Sequence, residues 1–285
     1  MQEFIGSYLE YAREARSPRA YELLSEIVPR VLKTCDWPPK PEELRKHWQI
    51  LIDRGDIKAV TANRERRAVG VALSWGVKNG HLEENACAAV RKWREGDRGA
   101  TIFFEPEEVV DILAHLPEKY HDLITWSIWT GMRLPESLSL QWEDILGEGD
   151  DRWHAVRIHT RGGRERIIPL VDDCSQILSR GRKKKLAAPF PFRSRRVVYQ
   201  SWVRAKMKAE IEKGHFYTLR TTCAVWFLRS GATLAEVNQM LGHSSMAFTE
   251  QLFGEFVLDE LEPPPELING VSSPWEAVRI LRERG

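Results

Sequence analysis

Between Phe216 and Phe253 the chain is punctuated so closely that few folds can accommodate it. Arg220 stands just inside a helical start, an apolar run covers Ala224 to Leu228, and Gly231 stops that helix. Leu241-Gly242-His243 then makes a turn that opens the next helix, and Phe253 lies ten residues beyond His243. Two upstream stretches are punctuated as strongly. Gly131 breaks an apolar helical run from Tyr120 to Thr130, and Pro135 occupies the first turn of the next helix, with Arg133 and Glu136 beside it. Trp153 to His159 and Glu165 to Leu170 alternate apolar and polar residues around Arg161-Gly162-Gly163, as the two strands of a hairpin do. These patterns predict a mainly α chain with a small antiparallel sheet in its second half.

At 285 residues the chain can hold one or two domains, each burying its own core. No apolar run approaches the roughly 20 residues that span a bilayer, so no membrane partner is expected. Glu3 and the lack of a basic-then-apolar start predict no signal peptide. Cys35, Cys87, Cys174 and Cys223 stand far apart, which predicts free thiols in a reducing cytoplasm and no metal site. The net charge of +1 argues little by itself, but eleven Lys or Arg residues and no Asp or Glu fall between Arg180 and Lys208. A charge run is often a solvated face. Phe190, Phe192, Tyr199 and Trp202 are interleaved with this one, so a phosphate-facing surface is the better expectation, with Arg182, Lys183, Lys184, Arg195, Arg196 and Arg204 as contacts. Arg64, Arg66 and Arg67 are further candidates.

The first 95 residues read as helices throughout. Phe4, Ile5, Tyr8, Leu9 and Ala12 recur at helical spacing. Ser17-Pro18 offers a cap and a first-turn proline for a second helix. A third is expected over Pro41 to Arg54, with Leu44, Trp48 and Leu51 on one face. A long fourth, capped by Thr61 or Asn63, is expected to run through Val77 with Ala68, Val71, Ala72 and Trp75 inward, and a short fifth lies near Glu83 to Lys92. Residues 96–102 form the expected linker to a second domain over 103–256. In that domain helices are expected over Asp172 to Leu178 and over Val197 to Lys213, the latter stopped by Gly214. A tail over 257–285 holds Pro263-Pro264-Pro265 and, from Ser273-Pro274, a last helix.

Arg133 after a Gly break, Arg220 at a helix start and Leu241-Gly242-His243, with a Gly-rich hairpin between them, resemble the boxes of the tyrosine recombinases, the phage integrase family. Ala72 to Ala89, with Ser74-Trp75-Gly76 and Leu82-Glu83-Glu84-Asn85, resembles the end of that family's core-binding domain. The resemblance implies a C-shaped clamp on duplex DNA made of a helical (SAM-like) core-binding domain and a mixed α/β catalytic domain. It implies site-specific recombination, as in integration or excision of a mobile element, and a homodimer or homotetramer on inverted-repeat core sites. The location implied is cytoplasmic, with the nucleoid.

In that family a tyrosine hydroxyl attacks a backbone phosphate, a 3′-phosphotyrosine forms and a 5′-hydroxyl leaves, with no cofactor. The resemblance makes Arg133 and Arg220 the phosphate-holding forks, which suits the fixed donor geometry of a guanidinium. Glu136 would orient Arg133, and His243 keeps its place in the last box. Three positions depart from the pattern. Arg161 stands where the hairpin lysine is expected and is a poor proton donor. Tyr217 replaces a histidine, and Phe253 replaces the nucleophilic tyrosine. No tyrosine follows Tyr217. The chain is therefore expected not to cleave DNA, whether Phe253 was introduced or is ancestral; the alternative is a natural DNA-binding protein of the same fold with a regulatory or architectural role.

Overall fold

The computed structural model describes residues 1–96, 99–148, 152–159, 165–192 and 194–257. The hairpin tip with Arg161, and the tail from 258 with its Pro run and expected last helix, lie outside the described residues. The chain divides into two units, Met1–Arg98 and Gly99–Gly285.

The first unit is helical: α1 (Gln2–Ala15), α2 (Pro18–Leu32), α3 (Pro41–Asp53), α4 (Ala59–Lys78) and the short α5 (Ala86–Ala89). The apolar stripe of α1 buries Phe4, Ile5, Tyr8 and Ala12, and Ser17 Oγ caps α2 by accepting from the Ala20 amide. Leu44 and Trp48 of α3 are fully buried.

The long helix α4 departs from the sequence reading in two ways. It starts two residues before Thr61, after Lys58, and neither Thr61 nor Asn63 caps it. Asn63 instead reaches out of the helix, donating to the Trp93 carbonyl and Glu95 and accepting from the Trp93 amide. The stretch just before the expected linker is thereby tied to α4. The buried face matches the expected one at Ala68 and Ala72 but not at Val71 and Trp75. Val71 is exposed and Trp75 half-buried, stacked on Tyr11 and His81, while Ala62, Glu65, Val69, Leu73 and Gly76 also point inward. Glu65 is a carboxylate inside the core. It accepts from Arg30 at 2.6 Å and from Trp48 Nε1 at 3.1 Å, so a charged residue sits where hydropathy predicts an apolar one.

The second unit carries α6 (Pro106–His115), α7 (His121–Thr130), α8 (Leu134–Ser139), strands β1 (Ile145–Glu148), β2 (Arg152–His159) and β3 (Glu165–Pro169), then α9 (Asp172–Lys183), α10 (Arg195–Lys208), α11 (Thr218–Arg229), α12 (Leu234–Leu241) and α13 (Met246–Phe253). Helices α7 and α11 are apolar on nearly every side and pack against each other at the centre. Their polar residues are absorbed locally: Ser127 donates to the Leu123 carbonyl and Thr130 to that of Trp126. Phe104 is buried against them, its amide bound by Thr222 Oγ1 and its carbonyl by Trp226 Nε1.

The expected hairpin is present as β2 and β3, antiparallel with Val156 opposite Ile168. It is widened to three strands, in the order β1-β2-β3, by a strand that the sequence did not reveal. That first strand is only four residues long, and its register shifts between Leu146 and Gly147, so it lacks the alternation that marks the other two. Helix α10 ends at Lys208 and not at Lys213. Beyond it Lys206 Nζ donates to the carbonyls of Glu212 and Lys213, which draws the chain back on the helix end. Gly214 is not the stop; its φ is +71° and the Phe104 ring lies where a Cβ would stand, at 2.7 Å.

Removing the Glu65 carboxylate should show how much the buried cluster contributes. Glu65→Ala strands Trp48 Nε1 and Arg30, and a lost hydrogen bond to a charged group costs about 2 kcal/mol. The urea midpoint of the first unit should fall accordingly; an unshifted midpoint would show that the carboxylate does not hold the helices together.

Candidate active site

Three helix ends meet around Arg220. It is the third residue of α11, in the first turn, and its guanidinium is buried. Nη1 donates to the Gly131 carbonyl at 2.7 Å, just past the end of α7, and Nη2 donates to the carbonyl of Leu241, the last residue of α12. Both are helix C-termini, where carbonyls are left without partners and partial negative charge collects, so a buried cation is compensated there. Both ends turn on a left-handed glycine, Gly131 at φ +59° and Gly242 at φ +68°. Neither accepts a side chain. A Cβ on Gly131 would stand 2.6 Å from Leu241 Cδ2, and one on Gly242 would stand 2.9 Å from Arg166 Cδ. Burial, and after it Arg133, lowers the Arg220 pKa to about 10, which leaves it charged at neutral pH.

A second arginine pair shares one carboxylate. Glu136, in the first turn of α8, accepts from the Arg133 amide at 2.9 Å and from Arg133 Nη1 at 3.0 Å. Arg166 of β3 binds the same carboxylate with both forks, at 2.7 and 3.3 Å. Burial pushes the Glu136 carboxyl up, but the hydrogen bonds from Arg166 and the Arg133 backbone outweigh it and hold it below its usual value. The Arg166 side chain is 5% exposed and that of Arg133 40%, so Arg166 is fixed inside while Arg133 keeps a face to solvent.

Arg166 is not among the residues that the sequence motifs single out, although the strand pattern carries a signal for it. On β3 the buried positions are Arg166 and Ile168, with Ile167 out in solvent. An arginine on the inward side of a strand requires a buried anion, and Glu136 supplies it.

His243 follows Gly242 and lies next to this group. Its Nδ1 is 2.8 Å from Thr249 Oγ1, and its ring is parallel to that of Phe253 with centroids 6.4 Å apart. Burial first, then Arg220, Arg133 and Arg166, lowers its pKa to about 4. Phe253 itself is buried at the end of α13. Tyr217 precedes α11, is half exposed, and is close enough to Arg220 to perturb it. The structure thus brings together Arg133, Tyr217, Arg220, His243 and Phe253. Arg161 lies outside the described residues.

The basic run has a different form from the one expected. Helix α9 extends five residues beyond Leu178 and carries Arg180, Arg182 and Lys183 in its last turn. Phe190 and Trp202 are not interleaved at the surface: both are buried, Phe190 against Trp126 and Trp202 between Phe104 and Phe216. The aromatic spacing marks the inner face of α10 and its approach, as is common for amphipathic helices. Lys183, Lys184, Arg195, Arg196 and Arg204 are exposed, whereas Arg180 pairs with Asp122 and Arg182 lies over the Trp142 ring. In the first unit Arg64 and Arg67 are exposed, but Arg66 donates to the Cys87 and Val90 carbonyls and closes the end of α5.

The charge arrangement makes a pH prediction. A neutral imidazole is favoured in the folded chain, whereas the unfolded one protonates near 6.5. A depressed folded pKa means that stability is lost as pH falls from about 6.5 to about 4. The stability difference between the parent and His243→Gln should therefore shrink over that window in acid unfolding series. A difference that grew on acidification would mean a raised pKa and a different arrangement of the arginines.

The chain matches the model of the phage integrase family over residues 103–253. It is similar to tyrosine recombinase XerC of Corynebacterium glutamicum, 27% identical over 226 residues that cover 73% of this chain and 71% of that protein. It is also similar to tyrosine recombinase XerD of Vibrio vulnificus, 33% identical over 138 residues, which are 42% of this chain and 44% of the other. Among solved structures it shares the fold of a lambda integrase dimer bound to a core site, with a TM-score of 0.69 and 16% identity over 87% of this chain and 96% of that one. A tyrosine-to-phenylalanine variant of the Tn1549 transposon integrase, in complex with transposon right end DNA, gives a TM-score of 0.62 and 16% identity over 90% and 95%. The family match takes in more than half of the chain and closes on Phe253 itself, and on that ground the chain belongs to the phage integrase family of site-specific DNA recombinases.

Proposed function

We propose that the cluster of Arg133, Arg220 and His243 is the site of a site-specific DNA recombinase, and that with Phe253 at the attacking position this chain binds DNA without cutting it. The observation that carries the reading is the charge arrangement. Arg133 and Arg166 share one carboxylate, and Arg220 rests on two carbonyl dipoles, so the group has positive charge to spare and a solvent-facing edge at Arg133. A phosphodiester supplies the anion that such a group lacks, and developing charge on a pentavalent phosphate would be met by preset donors. Phe253, whose ring is parallel to that of His243, stands at the position that the family resemblance makes the attacking one, and a phenyl ring has no oxygen.

In this reading the first unit is the core-binding domain and the second the catalytic domain. Duplex DNA with inverted-repeat core sites is the partner, engaged by two or four copies in the nucleoid. Structures of lambda integrase as a dimer on a core site and as a tetramer on a Holliday junction support that assembly. Arg64, Arg67, Lys183, Lys184, Arg195, Arg196 and Arg204 would contact phosphates, and mobilisation of an integrated element is the role in view. A second reading keeps the binding and removes the cutting: a natural regulatory or architectural protein. Tyr217 and Phe253, both departures from the family pattern, favour it.

Phe253→Tyr separates the two. The restored hydroxyl adds one oxygen to a ring already seated beside His243, so folding should hold. A recombinase yields a denaturation-resistant adduct with its cognate DNA, and a natural binder yields none. Within the Phe253→Tyr chain, Arg133→Ala or Arg220→Ala should slow adduct formation roughly 10²–10³-fold, the usual effect of removing one transition-state donor. A near-parental rate would remove that arginine from the chemistry. The unaltered chain should bind duplex DNA with an affinity that falls steeply with salt, as counterion release requires. A salt-independent affinity would argue against phosphate contacts.

A further inference from the structure

Arg166 is the member of the arginine cluster that a ligand cannot reach. Its side chain is 5% exposed, against 40% for Arg133. Both of its forks end on Glu136, Nη2 on Oε2 at 2.7 Å and Nη1 on Oε1 at 3.3 Å. The turn after α12 closes in its stem from another side, where a Cβ on Gly242 would stand 2.9 Å from Arg166 Cδ. Strand register decides which residue of β3 takes this place. Glu165 and Ile167, on either side of Arg166, are exposed, and Glu165 pairs with His159 and Arg157. A slip of one residue would set a carboxylate or an isoleucine against Glu136.

Fastening alone does not require this arginine. Strand β3 is already held by its ladder to β2, with Ile168 buried, and the Glu136 carboxylate caps α8 by accepting the Arg133 amide. Exchanging a buried ion pair for well-packed apolar groups is often neutral for stability. The charge balance gives Arg166 a task that packing does not. Arg133 and Glu136 alone form a neutral pair, in which the carboxylate is matched by Arg133 only. With Arg166 two cations share one anion, and the exposed cation is Arg133. Burial raises the Glu136 carboxyl, and Arg166 stands first among the groups that outweigh it and keep it ionised.

We propose that Arg166 is a positioning residue that acts through Glu136: it offsets the carboxylate, so that Arg133 keeps its own charge for a phosphate of DNA. The proposal rests on the reading of this cluster as a phosphate site. Arg166 touches no substrate; it sets how much charge its exposed neighbour has left. Arg220 reaches the same end by another route, because its acceptors are the carbonyls of Gly131 and Leu241, which carry no full charge. One arginine rests on uncharged oxygens, and the other on a carboxylate that a buried arginine already balances.

Inorganic phosphate is the probe, titrated at constant ionic strength into the unaltered full chain labelled with ¹⁵N-arginine. The guanidinium signal of Arg133 is the one lost in Arg133→Lys, and its movement gives a local affinity. Arg166→Met should weaken phosphate roughly tenfold, the worth of one nearby unit charge at the effective dielectric of a protein. The double variant Arg166→Met/Glu136→Gln removes one charge of each sign and should bind phosphate as the parent does. A site merely distorted by the loss of Arg166 would stay weak in the double variant. Unchanged affinity in Arg166→Met, or a double variant as weak as the single one, would overturn the proposal. Where Arg166→Met does not fold, the double variant, which strands no charge, decides alone: parental affinity supports the proposal and a loss of about tenfold overturns it. A parent whose Arg133 signal ignores phosphate would overturn the phosphate reading and this proposal with it. A responsive parent with an equally responsive Arg166→Met overturns this proposal alone.

Discussion

The second unit depends on one buried cation. Arg220 joins the start of α11 to the ends of α7 and α12 through two carbonyl oxygens, and each of those ends exists because a glycine takes a left-handed turn there. A guanidinium can be buried only where its donors are matched, and helix C-termini are among the few places where backbone supplies acceptors and favourable potential together. Among the described residues no carboxylate forms an ion pair with Arg220. The fold thus stabilises a cation without neutralising it, which is the condition for a site that waits for an anion.

Glu136 does the complementary work. It takes one fork from Arg133 and two from Arg166, and it accepts the backbone amide that starts α8. Arg166 crosses from the sheet to reach it, so β3 is fastened to α8 at the site. Removing Glu136 would leave two guanidiniums facing each other near a third. His243 registers that potential: burial and the three arginines lower its pKa, and its Nδ1 stands beside the Thr249 hydroxyl.

The expected binding surface around Trp202 and, at Val71 and Trp75, the expected inward face of α4 fail for related reasons. Aromatic residues spaced through a basic run look like a binding surface, but a helix period places them on one side and the charges on the other. Trp202 went to the core because Phe104 and Phe216 offered it ring partners. On α4 the buried Glu65 inverted the hydropathy rule, because Trp48 and Arg30 come from other helices to satisfy it. Neither partner is visible from within the helix.

By itself the sequence determined the local punctuation. Gly131, Pro135, Gly231 and Gly242 place helix ends by steric rules that need no partner, and the alternation of 165–170 defines a strand on its own. Those signals sufficed for a mainly helical chain with a small sheet, whereas Arg133, Arg220 and His243 became a set only through the resemblance to a family. Tertiary structure decided what depends on a second segment. It gave Arg166 its anion and Arg66 a structural task, and it drew β1 into the sheet. Above all it set the hydrogen bonds behind His243, because Asn238 and Thr249 are brought together only when α12 and α13 pack.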